Sequence, residues 1–258
     1  MDKGMSGSAI RERRQERMGR REALRAMGGF MACLPVWFLA VHFPSVLPVL
    51  AGTGKEARMK LPKPRLDGSL SVEKAISVRR TVRSFSPKTL TLEQLSQILW
   101  SAQGITDPRG FKRASPSAGA LYPLELFAVV GHDGVVDLGA GIYHHEPREH
   151  AMSLVAEGDH REELARASLS QFWMAKAPLS IVICAEYHRI TGKYGTRGER
   201  YAVIESGHMA QNIFLQSLAL GLEAAVVGAF TNAEVRRVIR ARTGIDPLLV
   251  MPVGYGKG

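Results

Sequence analysis

Residues 201–230 read YAVIESGHMAQNIFLQSLALGLEAAVVGAF, and this stretch decides which fold the chain adopts. Its first part, 201–222, has a helical composition and becomes apolar on nearly every side after Ile213. A helix of that kind is buried all round, either in a large core or at an obligate dimer interface. The run AAVVGAF, 224–230, has the length and apolar character of a strand. The stretch therefore predicts a long buried helix that leads into a buried strand.

Apolar runs of strand length recur on both sides of this stretch. LSIVICA (179–185) and LLVMPVG (248–254) are continuous apolar runs, and LELFAVVG (124–131) is a further strand candidate. The segments GIYHH and MSLVA read as a short antiparallel pair around a polar turn.

Capping residues predict where helices begin between these strands. The predicted starts are Ser71, Thr91 with Gln94, Asp159 with Glu162, and Thr231 with Glu234. The second helix runs to about Gln103, before Gly104, and the third runs toward Met174. Strands and helices are mixed without regular βαβ alternation, so the class is α+β, a sheet flanked by helices. The chain has neither a GxGxxG after a strand nor a GxxxxGK[ST], which excludes Rossmann and P-loop folds.

Composition narrows the functional classes. The 258 residues carry a formal net charge of +10, of which +4 falls in residues 1–25 and +6 in the remainder. That balance is too mild for a nucleic-acid binder, so no nucleic-acid partner is expected. The two cysteines, Cys33 and Cys184, belong to no CxxC pair, so neither a zinc site nor a disulfide framework is expected. Cys184 lies in the apolar run SIVICA and is interpreted as a buried small hydrophobe.

The N-terminal region, 1–52, is interpreted as a targeting or anchoring segment. Residues 1–25 are rich in arginine, and residues 26–52 contain no Asp, Glu, Lys or Arg. GRREALR, 19–25, resembles the twin-arginine export pattern, although Gly19 stands where Ser or Thr is usual. We expect either a cleaved signal, with VLAG (49–52) as the cleavage site, or a retained anchor with membrane contact through residues 26–52. A basic tail before a buried helix is the alternative.

If the segment is an export signal, the protein is expected in the periplasm or at the outer face of the cytoplasmic membrane. If the signal interpretation is wrong, the expected location is the cytoplasm. Residues 53–70 are rich in Gly, Lys and Pro and are predicted to be a linker into a domain over 71–258.

Four motifs in order resemble one family. VRRTVRSF (78–85), PSAGALYPLE (116–125), KYGTRGERY (193–201) and IESGHMAQNIFLQSLALGLEAAVVGAF (204–230) are similar to the nitroreductase-like flavoproteins, and within them to the SagB/ThcOx-type dehydrogenases. The likeness runs from about residue 71 to residue 254. It implies a nitroreductase-like fold with a central mixed or antiparallel sheet flanked by helices. It also implies FMN and an obligate homodimer with two active sites at the interface.

The arginine-rich motif is expected to bind the FMN phosphate. Arg79, Arg80 and Arg83 repel one another unless an anion joins them, and arginine's planar fork suits phosphate oxygens. Thr81 adds a hydroxyl donor. By the resemblance, this segment holds the phosphate and ribityl chain. The alternative is a solvated basic turn.

Three further segments are cofactor-binding candidates by the resemblance. Pro116, Ser117, Ala118 and Gly119 border the isoalloxazine from the partner subunit, where small residues permit close approach of the backbone. Val227, Gly228 and Ala229 pass near the reactive edge of the flavin. Lys257 near the C-terminus is a weaker candidate for the phosphate. The alternatives are an ordinary tight loop, a buried strand end and a frayed tail, respectively.

Lys193 and Tyr194 are the catalytic candidates. They resemble the Lys–Tyr pair to which azoline-oxidising members assign substrate deprotonation. Lys193 serves as a base only if burial or the nearby Arg197 and Arg200 lower its pKa toward neutral. The alternative is a mobile lid with a surface lysine and a packed tyrosine.

Other polar residues are expected to be structural. HHEPREH, 144–150, is a poor frame for a tetrahedral metal site because it contains a Pro turn, so it is interpreted as a solvated turn. His208, on the predicted long helix, is interpreted as a hydrogen-bonded core histidine.

Three functional hypotheses follow from the sequence. The first is an exported FMN-dependent oxidoreductase acting on a small organic molecule, with an azoline dehydrogenase that forms azoles in peptides as the alternative substrate assignment. The second is a non-catalytic flavin-binding protein on the same fold. The third is a basic membrane-surface or nucleic-acid binder that uses the N-terminal arginines.

Overall fold

A computed structural model describes residues 58–257 of the chain. The signal or anchor predicted for 1–52 lies outside the described residues, as does the first part of the predicted linker. No helix in the described range is long and apolar enough to cross a membrane.

Within residues 58–257, seven strands form one sheet in which every pairing of strands is antiparallel. The strands are β1 (Arg58–Lys60), β2 (Leu124–Val130), β3 (Gly141–Glu146), β4 (Ala151–Glu157), β5 (Leu179–Ala185), β6 (Glu223–Ala224) and β7 (Asp246–Gly254). Their order across the sheet is β1-β4-β3-β2-β5-β7-β6. The predicted class, α+β with a central sheet, is confirmed.

Strands β2 and β5 are buried at every position, which explains their largely apolar sequences. Alternate residues of β2 enter two different cores, because successive side chains of a strand point to opposite faces. Leu126 and Ala128 pack in the core that α2 and α5 cover, whereas Phe127 and Val129 pack in the core that α3 and α6 cover. Helices therefore cover both faces of the sheet.

The described part of the chain has six α-helices, which are α1 (Val72–Val78), α2 (Leu92–Gln103), α3 (Arg161–Ala167), α4 (His188–Tyr194), α5 (Arg197–Ala219) and α6 (Asn232–Val238). The predicted caps of the first two are confirmed. Ser71 Oγ accepts a hydrogen bond from Lys74 N at 3.2 Å. Thr91 Oγ1 accepts one from Gln94 N at 3.2 Å, and Gln94 Oε1 accepts one from Thr91 N at 2.9 Å.

The predicted helix from Asp159 to Met174 is wrong beyond Ala167. Leu169 and Ser170 have φ values of +55° and +59°, which no α-helix accommodates, and a 3₁₀ turn, Phe172–Lys176, follows. The Asp159 carboxylate does not cap α3 in the predicted way. It instead pairs with the guanidinium of Arg161.

The predicted strand 224–230 is also wrong over most of its length. Only Glu223–Ala224 forms a strand, and Val227 then pairs with Val250 as an isolated bridge. Gly228 and Ala229 lie in an exposed segment beyond that bridge. The apolar run is explained by the burial of Ala224, Ala225 and Val227 rather than by a continuous strand.

The upstream segment differs from the linker interpretation. Arg58–Lys60 pairs with Ala151–Ser153 at the edge of the sheet, and Leu61 is buried in the core. The folded part of the chain therefore extends upstream of Ser71.

Candidate functional site

Backbone hydrogen bonds join the arginine-rich segment to two other parts of the chain. Val82 N donates to Ala224 O at 3.0 Å, and Lys257 N donates to Ser84 O at 3.1 Å. These bonds place the segment beside both the C-terminal tail and the segment that leads to Val227. The described part of the tail is thus hydrogen-bonded through its backbone, which argues against the frayed-tail alternative.

Four basic side chains carry charge that no acidic side chain within residues 58–257 balances. They belong to Arg79, Arg80, Arg83 and Lys257. Within residues 58–257, none of the four takes part in an ion pair. We call these four residues the basic cluster. Its charge is the kind that a bound anion relieves.

Neighbouring groups hold the arginines of the basic cluster. The Arg79 guanidinium lies 5.1 Å from the Phe214 ring centroid, and that of Arg83 lies 5.7 Å from the Trp173 ring centroid. Arg80 Nη1 donates to the Arg79 carbonyl at 2.8 Å. Thr81 is exposed beside them.

The segment Val227–Ala229 adjoins the same region. Val227 is buried, whereas Gly228 and Ala229 are exposed. Gln171 Nε2 donates to Ala229 O at 3.2 Å, which ties this backbone to the turn that carries Trp173. The basic cluster and Val227–Ala229 therefore form one group of candidate residues.

The second group is built around the tight turn that follows Pro116. Gly119 has φ +62° and Ala120 has φ +54°, so the backbone is left-handed at two successive residues. Ser117 Oγ accepts a hydrogen bond from Tyr122 N at 2.9 Å, which closes the turn. Pro116 and Gly119 are exposed. We call Ser117–Gly119 the small-residue turn.

Lys193 and Tyr194, at the C-terminal end of α4, lie against the small-residue turn. A β-carbon built on Gly119 would lie 2.8 Å from Tyr194 Oη and 2.9 Å from Lys193 Nζ. Tyr194 is partly buried and packs edge-on against Tyr201, with ring centroids 5.3 Å apart. Lys193 is exposed, so the desolvation that a general base requires is not present in the single chain. The structure thus brings together two motifs that lie more than 70 residues apart in sequence.

Helix α5 holds the small-residue turn from the other side. Glu205 Oε1 accepts a hydrogen bond from Ala118 N at 2.8 Å, and Asn212 Nδ2 donates to Ser115 Oγ at 3.1 Å. Burial raises the pKa of Glu205, whose side chain is 3% exposed. Sequence reasoning missed this residue. The available signal was that Glu205 is the sole acidic residue between Glu199 and Glu223, in a helix predicted to be buried.

Arg189 is a second residue that sequence reasoning missed. Its guanidinium pairs with both Glu125 of β2 and Glu186, which follows β5, and Nη1 donates to Tyr122 O at 3.4 Å. Burial acts to raise the pKa of Glu125, but the hydrogen bond from His144 and the charge of Arg189 hold it below its usual value. Arg189 therefore connects α4, which carries Lys193, to the sheet and to the loop after the small-residue turn.

The histidines form no metal site in the part of the chain that the structure describes, where no group of three or more His, Cys, Asp or Glu could hold an ion. His144 Nε2 lies 2.6 Å from Glu125 Oε2, and His150 Nε2 lies 2.8 Å from Ser96 Oγ. His145 is buried, and burial lowers its pKa to about 3. The interpretation of 144–150 as a solvated turn is therefore wrong at His145. The core interpretation of His208 is also wrong, because that side chain is exposed.

The two groups are separate in the single chain. Arg79 contacts α5 at Phe214 and the small-residue turn contacts it at Glu205, which are about 14 Å apart along the helix axis at 1.5 Å per residue. Across residues 58–257, no hydrogen bond or ion pair joins one group to the other. A cavity of about 410 Å³, whose lining includes Trp100, Asp107 and His150, contains none of the predicted site residues.

Comparison with known proteins agrees with the motifs. A model described as the nitroreductase family matches residues 76–255. A protein of Methanocaldococcus jannaschii named as a nitroreductase is 41% identical over 196 residues, which span 76% of this chain and 96% of that protein. The microcin B17-processing protein McbC of Escherichia coli is 30% identical over 171 residues, or 64% of this chain and 62% of McbC.

A solved structure shares the fold. A chain of the E. coli microcin synthetase McbBCD complex, solved with truncated pro-MccB17 bound, superposes with a TM-score of 0.63 at 25% identity. The match covers 84% of this chain and 85% of that chain. With the family match over residues 76–255, these likenesses settle the classification. The chain belongs to the nitroreductase family.

Proposed function

We propose that this protein is an FMN-dependent oxidoreductase that transfers hydride between flavin N5 and a small organic substrate or acceptor. The observation that carries the proposal is the basic cluster, whose four cations have no acidic partner within residues 58–257 and lie beside the exposed backbone of Gly228–Ala229. A phosphate with a flat ring attached matches that arrangement. Membership of a family with flavoprotein members supports it.

The residues present fit FMN. Arg79, Arg80 and Arg83, with Thr81 and Lys257, would hold the phosphate, since guanidinium groups donate paired hydrogen bonds to phosphate oxygens. The small-residue turn leaves Gly119 exposed without a side chain, so a flat ring can approach its backbone. FMN, when bound, supplies an atom that accepts or donates hydride. The chain itself orients the reactants and manages the proton.

Lys193 and Tyr194 are the proposed proton-handling groups. Both contact the position where a side chain at Gly119 would stand, so a molecule lying on the small-residue turn meets the ammonium and the phenol together. Lys193 lacks desolvation in the single chain, and a bound ring or a second subunit would supply it. General acid–base groups of this kind contribute about 10²- to 10⁴-fold to rate.

A homodimer is part of the proposal. Each chain presents the basic cluster and the small-residue turn about 14 Å apart along α5, and by the family resemblance the turn reaches the cofactor from the partner subunit. Val72 and Ile76 on α1 are 63% and 57% exposed, and Val203 and Ile204 on α5 are 52% and 47% exposed. A second copy of the chain is the proposed occupant of these exposed apolar positions.

A peptide substrate is the second candidate, and the likeness to McbC favours it. That relative is named for processing microcin B17, and the matching structure holds a truncated pro-peptide. The corresponding activity here is azoline dehydrogenation to an azole. The export signal predicted in residues 1–52 opposes it, because the complexes that carry out this chemistry work in the cytoplasm.

The test combines cofactor identity with turnover. We expect the purified full chain to be yellow and to release FMN on denaturation, identified by mass spectrometry. After anaerobic reduction with dithionite, the rate of reoxidation by a quinone and by a nitroaromatic compound is measured for wild type, Lys193→Ala and Tyr194→Phe. For the same three proteins, the rate at which an azoline peptide reduces the oxidised flavin is measured separately. We expect each variant to lose about 100-fold in rate with one of these compounds at unchanged flavin content.

Lys60→Ala, an exposed lysine on β1, is the matched control and should behave as wild type. Flavin binding with no reoxidation by either acceptor, no reduction by the azoline peptide and no effect of either variant would support the non-catalytic flavin-binding protein instead. A colourless protein that takes up no flavin would refute the proposal.

A further inference from the structure

Glu205 occupies an unusual position for an acidic residue. It lies on α5 with a side chain that is 3% exposed, although carboxylates are almost never fully buried without a partner. No cation forms an ion pair with it within the described residues. Its one hydrogen bond joins Oε1 to Ala118 N at 2.8 Å, and Oε2 is buried without a partner in that range.

The hydrogen bond of Glu205 is made to the centre of the small-residue turn. Ala118 N belongs to the residue between Ser117 and Gly119, and the Ser117 hydroxyl is close enough to Glu205 to act on its pKa. A side chain at Gly119 would contact Tyr194 Oη and Lys193 Nζ. Adjacent residues of the turn therefore meet the buried carboxyl group and the two proposed proton-handling groups.

A second contact shows that α5 serves as the support of this loop. Asn212, seven residues or two turns after Glu205, donates to the Ala114 carbonyl at 3.4 Å and to Ser115 Oγ at 3.1 Å. Residues on both sides of Pro116 are thus fastened to one face of the helix. At Asn212, a neutral amide side chain is enough to fasten the loop to the helix. At Glu205 the chain instead has a buried carboxyl group, which is unfavourable for folding. The contact of Glu205 with the small-residue turn therefore indicates a role for this carboxyl group other than packing.

We propose that Glu205 is a positioning residue of the flavin site. Its hydrogen bond to Ala118 N holds the small-residue turn in place. The position of the turn then sets how closely a flat ring approaches Gly119 and how Lys193 and Tyr194 contact that ring. The proposal rests on the proposed function. It assigns the effect to the reach of the hydrogen-bond acceptor rather than to its charge. Glutamate spans the gap between α5 and Ala118 N, and a side chain one methylene shorter does not.

Two variants separate reach from charge. Glu205→Gln keeps an acceptor oxygen at the same distance but removes the charge, whereas Glu205→Asp keeps the charge but withdraws the oxygen. We expect Glu205→Asp to bind FMN about tenfold more weakly, as the loss of one hydrogen bond predicts. We expect Glu205→Gln to stay within about threefold of wild type. The measurements are fluorescence titration with FMN and the visible circular dichroism of the bound flavin, whose bands report the packing around the ring.

Glu199→Gln and Glu199→Asp, at an exposed position of the same helix, are the controls and should match wild type. Thermal unfolding of each variant without FMN measures any loss of stability separately. Weaker FMN binding by Glu205→Gln than by Glu205→Asp would overturn the proposal, since charge would then be the property that matters. The proposal would also be overturned if both Glu205 variants had reduced thermal stability but unchanged FMN affinity and unchanged circular dichroism of the flavin. Failure of wild type to bind FMN would refute the proposed function instead.

Discussion

At the scale of single residues, Glu205 links the proton affinity of one side chain to the stability of the fold. Burial raises the pKa of Glu205 above its ordinary value, so the folded protein holds this proton more tightly than the unfolded chain does. Below the ordinary pKa both states are protonated, so the contribution of this residue to the free energy of unfolding does not change with pH. As pH rises from the ordinary pKa through the raised one, the unfolded chain gives up this proton more readily than the folded protein does, and stability falls.

Glu205→Gln is therefore expected to gain stability relative to wild type as pH rises. The difference in the free energy of unfolding should be near its minimum at about pH 4 and should grow toward about pH 8, because glutamine does not titrate. Urea denaturation of the full chain at several pH values measures this difference. Glu199→Gln, at an exposed site of the same helix, is the control variant for this measurement. A pH-independent difference for Glu205→Gln would show that the buried carboxyl group does not titrate abnormally.

At the scale of secondary structure, α4 depends on one arginine for its place on the sheet. The helix has seven residues and is too short to be stable by itself, so its tertiary contacts decide where it lies. Arg189 pairs with Glu125 and Glu186, whose side chains are 10% and 2% exposed. His144 also contacts Glu125, and Arg242 also contacts Glu186. Arg189 is the group that contacts both carboxylates and also the Tyr122 carbonyl.

Arg189→Gln is expected to destabilise the protein and to loosen α4. Removing one partner of a buried ion pair costs about 3–5 kcal/mol, and the contacts from His144 and Arg242 reduce this to about 2 kcal/mol here. Hydrogen exchange followed by mass spectrometry should show faster exchange in residues 188–194, and turnover should fall because Lys193 and Tyr194 lie on this helix. Arg166→Gln, an exposed arginine at the end of α3, is the control. Unchanged exchange in 188–194 would show that other contacts position α4.

At the scale of the whole molecule, the single chain leaves apolar side chains of α5 exposed. The sequence predicts a helix over 201–222 that is apolar on nearly every side after Ile213 and is buried in a core or at a dimer interface. Val203 and Ile204, which precede Ile213 in α5, are about half exposed. The exposed apolar face of α1 adds to this surface. Val72 and Ile76 lie four residues apart, on one side of that helix. A dimer that covers these surfaces reconciles the apolar sequence with the observed exposure.

The double variant Val72→Asp/Ile76→Asp is expected to shift the protein from dimer to monomer and to lose FMN in the same proportion. Two buried charges at an interface oppose association by several kcal/mol. Analytical ultracentrifugation gives the dimer fraction, and absorbance gives bound flavin per chain. Val136→Asp, at an exposed apolar residue of a loop, should remain dimeric and yellow. A monomer that keeps FMN with wild-type affinity would mean that one chain contains the complete site.

The sequence by itself determined the features that depend on neighbouring residues. The capping box of Thr91 and Gln94 involves groups three residues apart, and the largely apolar runs of β2 and β5 follow from burial on both faces. The order of four motifs was enough to indicate the family, which the comparison over residues 76–255 confirms. The roles of the basic cluster and of Lys193 stay predictions, as does export through residues 1–52.

Only the tertiary structure decided which of these segments meet. The bond from Ala118 N to Glu205 joins residues 87 positions apart, and that from Arg189 to Tyr122 O joins residues 67 positions apart. No local pattern encodes such pairs, because a buried glutamate and a surface glutamate look alike in one sequence. The same reason explains the errors at Ala167 and in 224–230. A helix stops, or a strand is reduced to one bridge, where packing against distant elements outweighs local propensity.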